Sequence, residues 1–521
     1  MITLVGNLTP IKDAPGALRL RRILVQFLLL IVAVVLARTA AAENAKTIQE
    51  LAVHARDCCV RVASAGDQAS GVLISDTGHI LTVAHGVAPQ AETVRVQRNG
   101  IQVTGQVLLR DAKNDVALLR ILPGDMTRLG VKPVAISKND CEQGDLVLAA
   151  GFPARQAALT HAVVRFGTLM VKGKWLRSTC RLTAGDSGGP ILNGAGHLIG
   201  INQKIGTIRD QNLHLAVELC LRAIQATHQA KTVRTDSKLS VPKITTAARQ
   251  SLTEFSAVVL DDKGLQLASA TRVTSGIFVT KRSLIPSSSA IRVRWQSQLV
   301  AVQRETDTGS NDLLFLRSED VSDGNVDFTV PAFGDVIWGV GGSPGIIGLV
   351  PVSEPKQRPS LGCTLQDLDG VVIVTRIAAD SWAQRCGLKP GDALQQVGRE
   401  KFNTLDKLGG VVSERNPGDR LSVTWTRDGE RMVGESELDH PPESLLNRQE
   451  YLDGRAGLLS ARRTGFQRVF QHDVAAGVIA MGGPVVDSRG RLVGVNIAVR
   501  SREAVLAIPI SEVLKARSEN R

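Results

Sequence analysis

The stretch Thr183-Ala-Gly-Asp-Ser187-Gly-Gly-Pro190 runs directly into Ile191-Leu192 and sets one serine in a turn with glycine at 185 and 188, just ahead of an apolar strand. Glycine accepts left-handed or crowded backbone without a Cβ penalty, so two of them around a single hydroxyl mark a turn whose geometry is constrained. Outward from it the chain is a string of short Val/Ile/Leu-rich runs broken by Gly, Asp, Asn and Pro. Examples are His79-Ile-Leu-Thr-Val83, Thr93-Val-Arg-Val-Gln97, Val116-Ala-Leu-Leu-Arg120, Leu146-Val-Leu-Ala149 and His197-Leu-Ile-Gly-Ile201. This spacing predicts an all-β unit over residues 48–230, closed by a helix within 215–230 and followed by a polar linker over 231–249.

The same landmarks recur in the same order further along the chain. Asn114-Asp115-Val-Ala-Leu-Leu-Arg120 returns as Asn311-Asp312-Leu-Leu-Phe-Leu-Arg317, and Gly144-Asp145-Leu-Val-Leu as Gly334-Asp335-Val-Ile-Trp. Gly188-Gly189-Pro190-Ile-Leu returns as Gly482-Gly483-Pro484-Val-Val. A repeat of this length predicts a second unit of the same kind. Residues 144 and 188 are 44 apart, but the matching 334 and 482 are 148 apart, so the second unit holds an insertion large enough for a small domain. The expected division is a second unit over 250–353 and 443–517, interrupted by a domain over 354–442.

Composition narrows the class. At 521 residues the chain exceeds one hydrophobic core, and 43% hydrophobic with 21% charged residues is ordinary for folded soluble domains. Residues 19–22 are Arg-Leu-Arg-Arg, an apolar run follows, and Ala40-Ala-Ala42 supplies small residues for a cut, so residues 1–42 read as a signal peptide or an N-terminal anchor. Either exports the remainder. Of the net +12, residues 1–42 hold five Lys/Arg against one Asp, and the rest is scattered with only one Tyr and five Trp, which argues against nucleic acid. Seven cysteines at irregular spacing point to neither a disulfide framework nor a metal site. No cofactor or metal is called for.

Acyl transfer at an amide needs an activated oxygen nucleophile, a base, a group that orients the base, and donors for the oxyanion. Leu81-Thr-Val-Ala-His85 ends a strand on a histidine, Asp111-Ala-Lys-Asn-Asp115 places a carboxylate ahead of a strand, and Ser187 sits in its glycine-flanked turn. The order His, Asp, Ser, with separations of 30 and 72 residues, resembles the chymotrypsin-type serine proteases and, in its short loops, their HtrA/DegP-like branch. The resemblance implies a mainly β chain with two chymotrypsin-like double β-barrel units, the second degenerate, and a PDZ domain inserted in the second. It implies His85, Asp115 and Ser187 as the catalytic triad, the backbone N–H groups of Gly185 and Ser187 as the oxyanion hole, and Leu182 in the substrate pocket. Arg181 is expected to turn to solvent, and His79 and His161 to be structural.

Two features depart from that branch. Asp186 stands where it usually has Asn, and no Arg-Ile-Val-Gly-Gly activation site exists to supply a partner for the carboxylate. The PDZ-like unit also does not directly follow the first protease unit. In the second unit Met481 replaces Ser187, the best register puts Ser283 where His85 stands, and no histidine occurs between His228 and His440. Asp312 is read as a remnant kept for its turn hydrogen bonds. In the PDZ-like unit Leu361, Gly362 and Cys363 resemble a peptide-carboxylate loop, and Leu408 and Val411 a side-chain pocket. The expected activity is an exported serine endopeptidase of periplasmic or secreted location, acting on unfolded or damaged polypeptides, with C-terminal peptides as ligands of the PDZ domain. The alternatives are a latent protease serving as a peptide-binding scaffold and a narrow processing protease.

Overall fold

The computed structural model describes residues 47–519 apart from 138–140, 155, 157, 207, 225–231, 234–238, 288, 309–310, 322–325, 355 and 441–458. The leader reading over 1–42 lies outside these residues. Six strands, Cys59–Ser64, Asp67–Leu73, His79–Thr82, Thr93–Arg98, Ile101–Asp111 and Val116–Arg120, close into a barrel. In Thr93–Arg98 exposed and buried residues alternate, as a half-buried strand requires, whereas Val116–Arg120 is buried until its last residue. A second ring joins Leu146–Gly151, Val163–Val171, Trp175–Ser178, Asn212–Ala216, Leu198–Lys204 and Pro190–Asn193, closed by pairing of the last with both Leu198–Lys204 and Leu146–Gly151. The helix Val217–Ile224 follows it.

The segment read as a linker is partly structured. Leu239 accepts a backbone hydrogen bond from Leu146 at 3.0 Å, and the helix Thr246–Phe255 begins inside 231–249, capped by the Thr245 hydroxyl.

A seven-stranded sheet then runs from Ser256–Asp261 to Leu313–Arg317. After it, Val336–Gly339, Pro344–Val352, Val469–His472, Pro484–Asp487, Leu492–Ser501 and Ala504–Pro509 form another closed barrel. Pro344–Val352 pairs directly with Val469–His472, although the chain between them builds a separate unit with its own core around Trp382, Val397, Leu408 and Trp425. That unit is a sheet of Cys363–Leu368, Val371–Ile377, Ala393–Val397, Arg420–Arg427 and Glu430–Glu437 with helices Trp382–Arg385 and Leu405–Ser413.

The recurring sequence landmarks occupy matching places. Asp115 and Asp312 both take a left-handed backbone, φ 56° and 57°, which short polar side chains tolerate. His85 N–H donates to Asp115 Oδ1 at 2.9 Å, and Ser283 N–H donates to Asp312 Oδ1 at 2.8 Å. The Thr82 hydroxyl donates to Ser70 C=O at 2.6 Å, as Thr280 does to Ser269 C=O at 2.6 Å. A Cβ on Gly188 would lie 2.2 Å from Ser70 O, and one on Gly482 2.1 Å from Ser269 O, so both turns need glycine against the neighbouring barrel.

At Asp312 the surroundings have changed. Lys281, fully buried, donates to Asp312 Oδ2 at 2.7 Å, and the buried Arg462 stands 3.9 Å from Oδ1 while pairing at 2.9 Å with Asp419 of the inserted unit. Asp312 therefore does more than satisfy its turn. Burial alone would raise its pKa, but Lys281 and Arg462 hold it below the ordinary carboxylate range.

Removing one partner from such a site leaves an uncompensated buried charge, which costs about 3–5 kcal/mol. Asp312→Ala is expected to lower the urea midpoint of the second half by a corresponding amount. An unchanged midpoint would show that Lys281 finds compensation elsewhere.

Candidate active site

His85 lies on the 3-10 turn Ala84–Gly86 at the end of the strand His79–Thr82 and keeps its side chain 54% exposed. Its Nδ1 is 2.9 Å from Asp115 Oδ2 and 3.0 Å from Oδ1. Ring and backbone thus hold the same carboxylate, which fixes Nδ1 as the protonated nitrogen and leaves Nε2 as the basic one. Gln203 Nε2 donates to Asp115 Oδ2 at 2.8 Å. Burial would raise the Asp115 pKa, but the bonds from His85 and Gln203 outweigh it and keep the group below its usual value.

Ser187 comes from the opposite barrel. Its Oγ donates to the Gln203 carbonyl at 3.3 Å, so the two ends of one glutamine touch the serine and the carboxylate. Among the described residues the Gly185 and Ser187 amides have no protein acceptor, and Gly185 has φ 94°. The turn is braced from below. Ser70 Oγ donates to Gly185 C=O at 2.7 Å and accepts from Phe152 N–H at 2.9 Å, while Ser70 N–H donates to Ser187 C=O at 2.7 Å.

Asp186 has a partner within the fold. Arg165, on Val163–Val171, donates to its Oδ2 at 2.8 Å, and the Thr183 amide donates to the same oxygen at 2.9 Å. Both side chains are buried. Burial pushes the Asp186 carboxyl up to about 6, against the pull of Arg165 and the Thr183 amide.

Leu182 is buried with Cys180, Leu176, Ile199 and the half-buried Ile205 in the core of the Ser187 barrel. Arg181 does not turn to solvent. It is buried, with Nε on Asp210 at 2.7 Å and Nη1 on the Asp473 carbonyl at 2.9 Å, because the second half covers it. His79 bonds the hydroxyls of Ser75 and Thr77, and His161 that of Thr160. In the inserted unit Leu361, Cys363, Leu408 and Val411 join one cluster. Among the described residues Cys363–Leu368 pairs only with Val371–Ile377 and so offers a free edge, and the Gly362 amide donates to Ser360 Oγ at 3.1 Å. Met481 is fully buried where the Ser187 turn is repeated.

Gln203, Ser70 and Arg165 escaped the sequence reading. Only Gln203 had a signal there, as the residue following Asn202 in the strand that succeeds the serine turn.

A trypsin-like peptidase domain matches residues 69–201, and a PDZ domain matches residues 359–433. A probable periplasmic serine endoprotease DegP-like of Halomonas elongata is 24% identical over 377 residues, covering 69% of this chain and 76% of the relative. The putative serine protease HhoA of Synechocystis is 32% identical over 147 residues, covering 26% of this chain and 37% of that protein. Among solved structures, the serine endoprotease from Yersinia pestis aligns with 76% of this chain and 98% of its own at 18% identity and a TM-score of 0.30.

The chain is a trypsin-like serine endopeptidase. In joining a trypsin-like peptidase domain to a PDZ domain it is similar to the HtrA/DegP-like proteases.

Ser70→Ala would strip partners from a buried carbonyl and a buried amide, at about 1–3 kcal/mol. The expected result is lower thermal stability together with slower fluorophosphonate labelling. Labelling at the wild-type rate would mean that the Gly185 carbonyl is held without Ser70.

Proposed function

We propose that the first unit hydrolyses peptide bonds of exported, unfolded or damaged polypeptides through an acyl-enzyme, with Ser187 as nucleophile, His85 as base and then acid, and Asp115 as its orienting carboxylate. The observation that carries this reading is the shared clamp of His85 by ring and backbone on Asp115, with Gln203 linking that carboxylate to Ser187. For attack, Ser187 Oγ leaves the Gln203 carbonyl and gives its proton to His85 Nε2 as the Oγ–C bond forms. The carbonyl oxygen takes the negative charge and is met by the Gly185 and Ser187 amides, each worth about 10²- to 10³-fold. His85 then protonates the departing amine, and water repeats the sequence to release Ser187.

The second half we read as a degenerate protease unit. Met481 has no nucleophilic oxygen, Ser283 offers no base, and Lys281 and Arg462 crowd the carboxylate that would orient one. The inserted PDZ domain would recruit extended C-terminal peptides along its free edge strand, between Cys363–Leu368 and Leu405–Ser413. Export is part of the proposal, since the Halomonas relative is named periplasmic. Among the described residues no helix is long and apolar enough to cross a membrane.

One observation favours a second reading, a latent protease acting mainly as a peptide-binding scaffold: the Ser187 hydroxyl rests on Gln203 and not on His85. Casein hydrolysis separates the two. Ser187→Ala and His85→Ala are each expected to lower turnover about 10⁶-fold, and the double variant no further, because the triad acts as a unit. Wild type as inactive as Ser187→Ala, with peptide binding intact, would favour the scaffold. Met481→Ser in the Ser187→Ala background is expected to restore nothing, since a nucleophile without a base stays weak.

A further inference from the structure

The two barrels that carry Ser187 and Met481 face each other. The strand Pro344–Val352 lies so close to Val163–Val171 that a Cβ on Gly348 would come within 2.5 Å of Val164 O. At this seam stands Asp473, directly after Val469–His472. Its first-unit counterpart is identified by a hydrogen bond: Thr168 N–H donates to Thr179 Oγ1 at 2.8 Å, and the matching Ile346 N–H donates to Asp473 Oδ1 at 2.7 Å. A threonine hydroxyl does this work inside one barrel, but a carboxylate has a second oxygen. Asp473 Oδ2 crosses the seam and accepts from Phe166 N–H at 3.0 Å, next to the Arg165 that pairs with Asp186. The Asp473 carbonyl also holds Arg181, six residues before Ser187.

A second contact comes from the hairpin between Leu492–Ser501 and Ala504–Pro509. Its tip residue Arg502 is buried and reaches into the loop that leaves Gln203 in the first unit. Its guanidinium donates to the carbonyls of Gly206 at 2.9 Å, Ile208 at 3.1 Å and Arg209 at 3.3 Å, and to Asn212 Oδ1 at 3.3 Å. Arg209 Nε donates back to the Arg502 carbonyl. Nearby, Gln471 accepts from Gln156, in the segment that follows Phe152 beneath the serine turn.

We propose that Asp473 and Arg502 are positioning residues of the protease site, through which the second unit sets the strand behind Asp186 and the wall that follows Gln203. The inference rests on the catalytic reading above and assigns the second unit a direct part in substrate turnover. Neither residue touches the reacting atoms. Their effect is on geometry, and a displacement of about 1 Å can cost a catalytic site 10²-fold.

The test uses the full chain and two readouts, hydrolysis of fluorescein-labelled casein and the rate of Ser187 labelling by a small fluorophosphonate. Asp473→Thr keeps the bond to Ile346 and loses the one to Phe166. Arg502→Ala empties the loop, and Arg502→Lys restores the charge without the planar set of donors. Casein kcat/KM is expected to fall about 10²-fold in Asp473→Thr and Arg502→Ala, with Arg502→Lys recovering only part. Labelling, which reports the geometry of the Ser187 turn, is expected to slow in Asp473→Thr and to change by no more than a few-fold in Arg502→Ala, whose contacts lie on the wall after Gln203. Arg468→Ala, removing an exposed pair with Glu512 elsewhere in the second half, should leave both readouts unchanged. Wild-type casein turnover in Asp473→Thr and Arg502→Ala would overturn the proposal. Loss of the cooperative thermal transition in Asp473→Thr would overturn it too, because residue 473 would then hold the fold as a whole. Failure of the catalytic reading looks different: hydrolysis would survive Ser187→Ala.

Discussion

A carboxylate with no exposure to water sits beneath the serine turn, and the arrangement of this molecule depends on how it is compensated. Asp186 cannot reach solvent, so its charge must be met from inside the fold. Arg165 meets it, and because Arg165 belongs to Val163–Val171 the turn is tied to that strand. Burying two charges is expensive and is repaid only with good geometry and added hydrogen bonds, which the Thr183 amide helps to supply. The consequence is that movement of this strand is felt at the turn. It is also the strand against which the second half packs.

The second half keeps the backbone polar scaffold of the first and replaces the chemistry set on it. Asp312, Thr280, Gly482 and Asn496 repeat the hydrogen bonds of Asp115, Thr82, Gly188 and Asn202, because those bonds hold loops of two barrels together regardless of catalysis. His214 bonds Asn202 at 3.0 Å and His472 bonds Asn496 at 2.8 Å, and burial pushes His214 down to about 3 and His472 to about 4, which keeps both rings neutral. What differs is the filling. Lys281 stands in line with Val83 and turns the orienting carboxylate into one corner of a buried charge cluster that reaches the PDZ domain through Arg462 and Asp419.

The parts of this molecule legible in the sequence are those whose signal is local. His85 at a strand end, Asp115 ahead of a strand and Ser187 between glycines each carry their context within a few residues, and the repeated Asn-Asp and Gly-Gly-Pro landmarks date from the same backbone needs. The mainly β fold followed from the spacing of short apolar runs. Arg165 and Ser70 were not legible, since a buried Arg in one strand and a Ser in another gain meaning only when the turn is laid upon them. Arg181 was misjudged for the same reason: taken alone a long cation belongs in water, but its acceptor comes from Asp473, 292 residues away. Residues 1–42, read as a signal peptide or anchor, and residues 441–458 lie outside the described residues.

Two small changes suffice to convert a repeated barrel into a brace for its neighbour. Where the first barrel has Thr179, one oxygen bonding one amide of its own sheet, the second has a carboxylate whose extra oxygen has no internal use and reaches Phe166 across the seam. Where the first barrel joins Leu198–Lys204 to Asn212–Ala216 by a longer loop, the second joins Leu492–Ser501 to Ala504–Pro509 through Arg502 and Glu503 alone. A loop of the first kind can wrap a substrate and leaves acceptor capacity on its carbonyls, since Gln211 N–H and Asn212 Nδ2 each take only one of the two lone pairs on Ile208 and Arg209. A two-residue tip bearing an arginine is short enough to enter that loop and carries enough donors to satisfy it, so the contact follows from the difference between the repeats and would not form between two identical barrels.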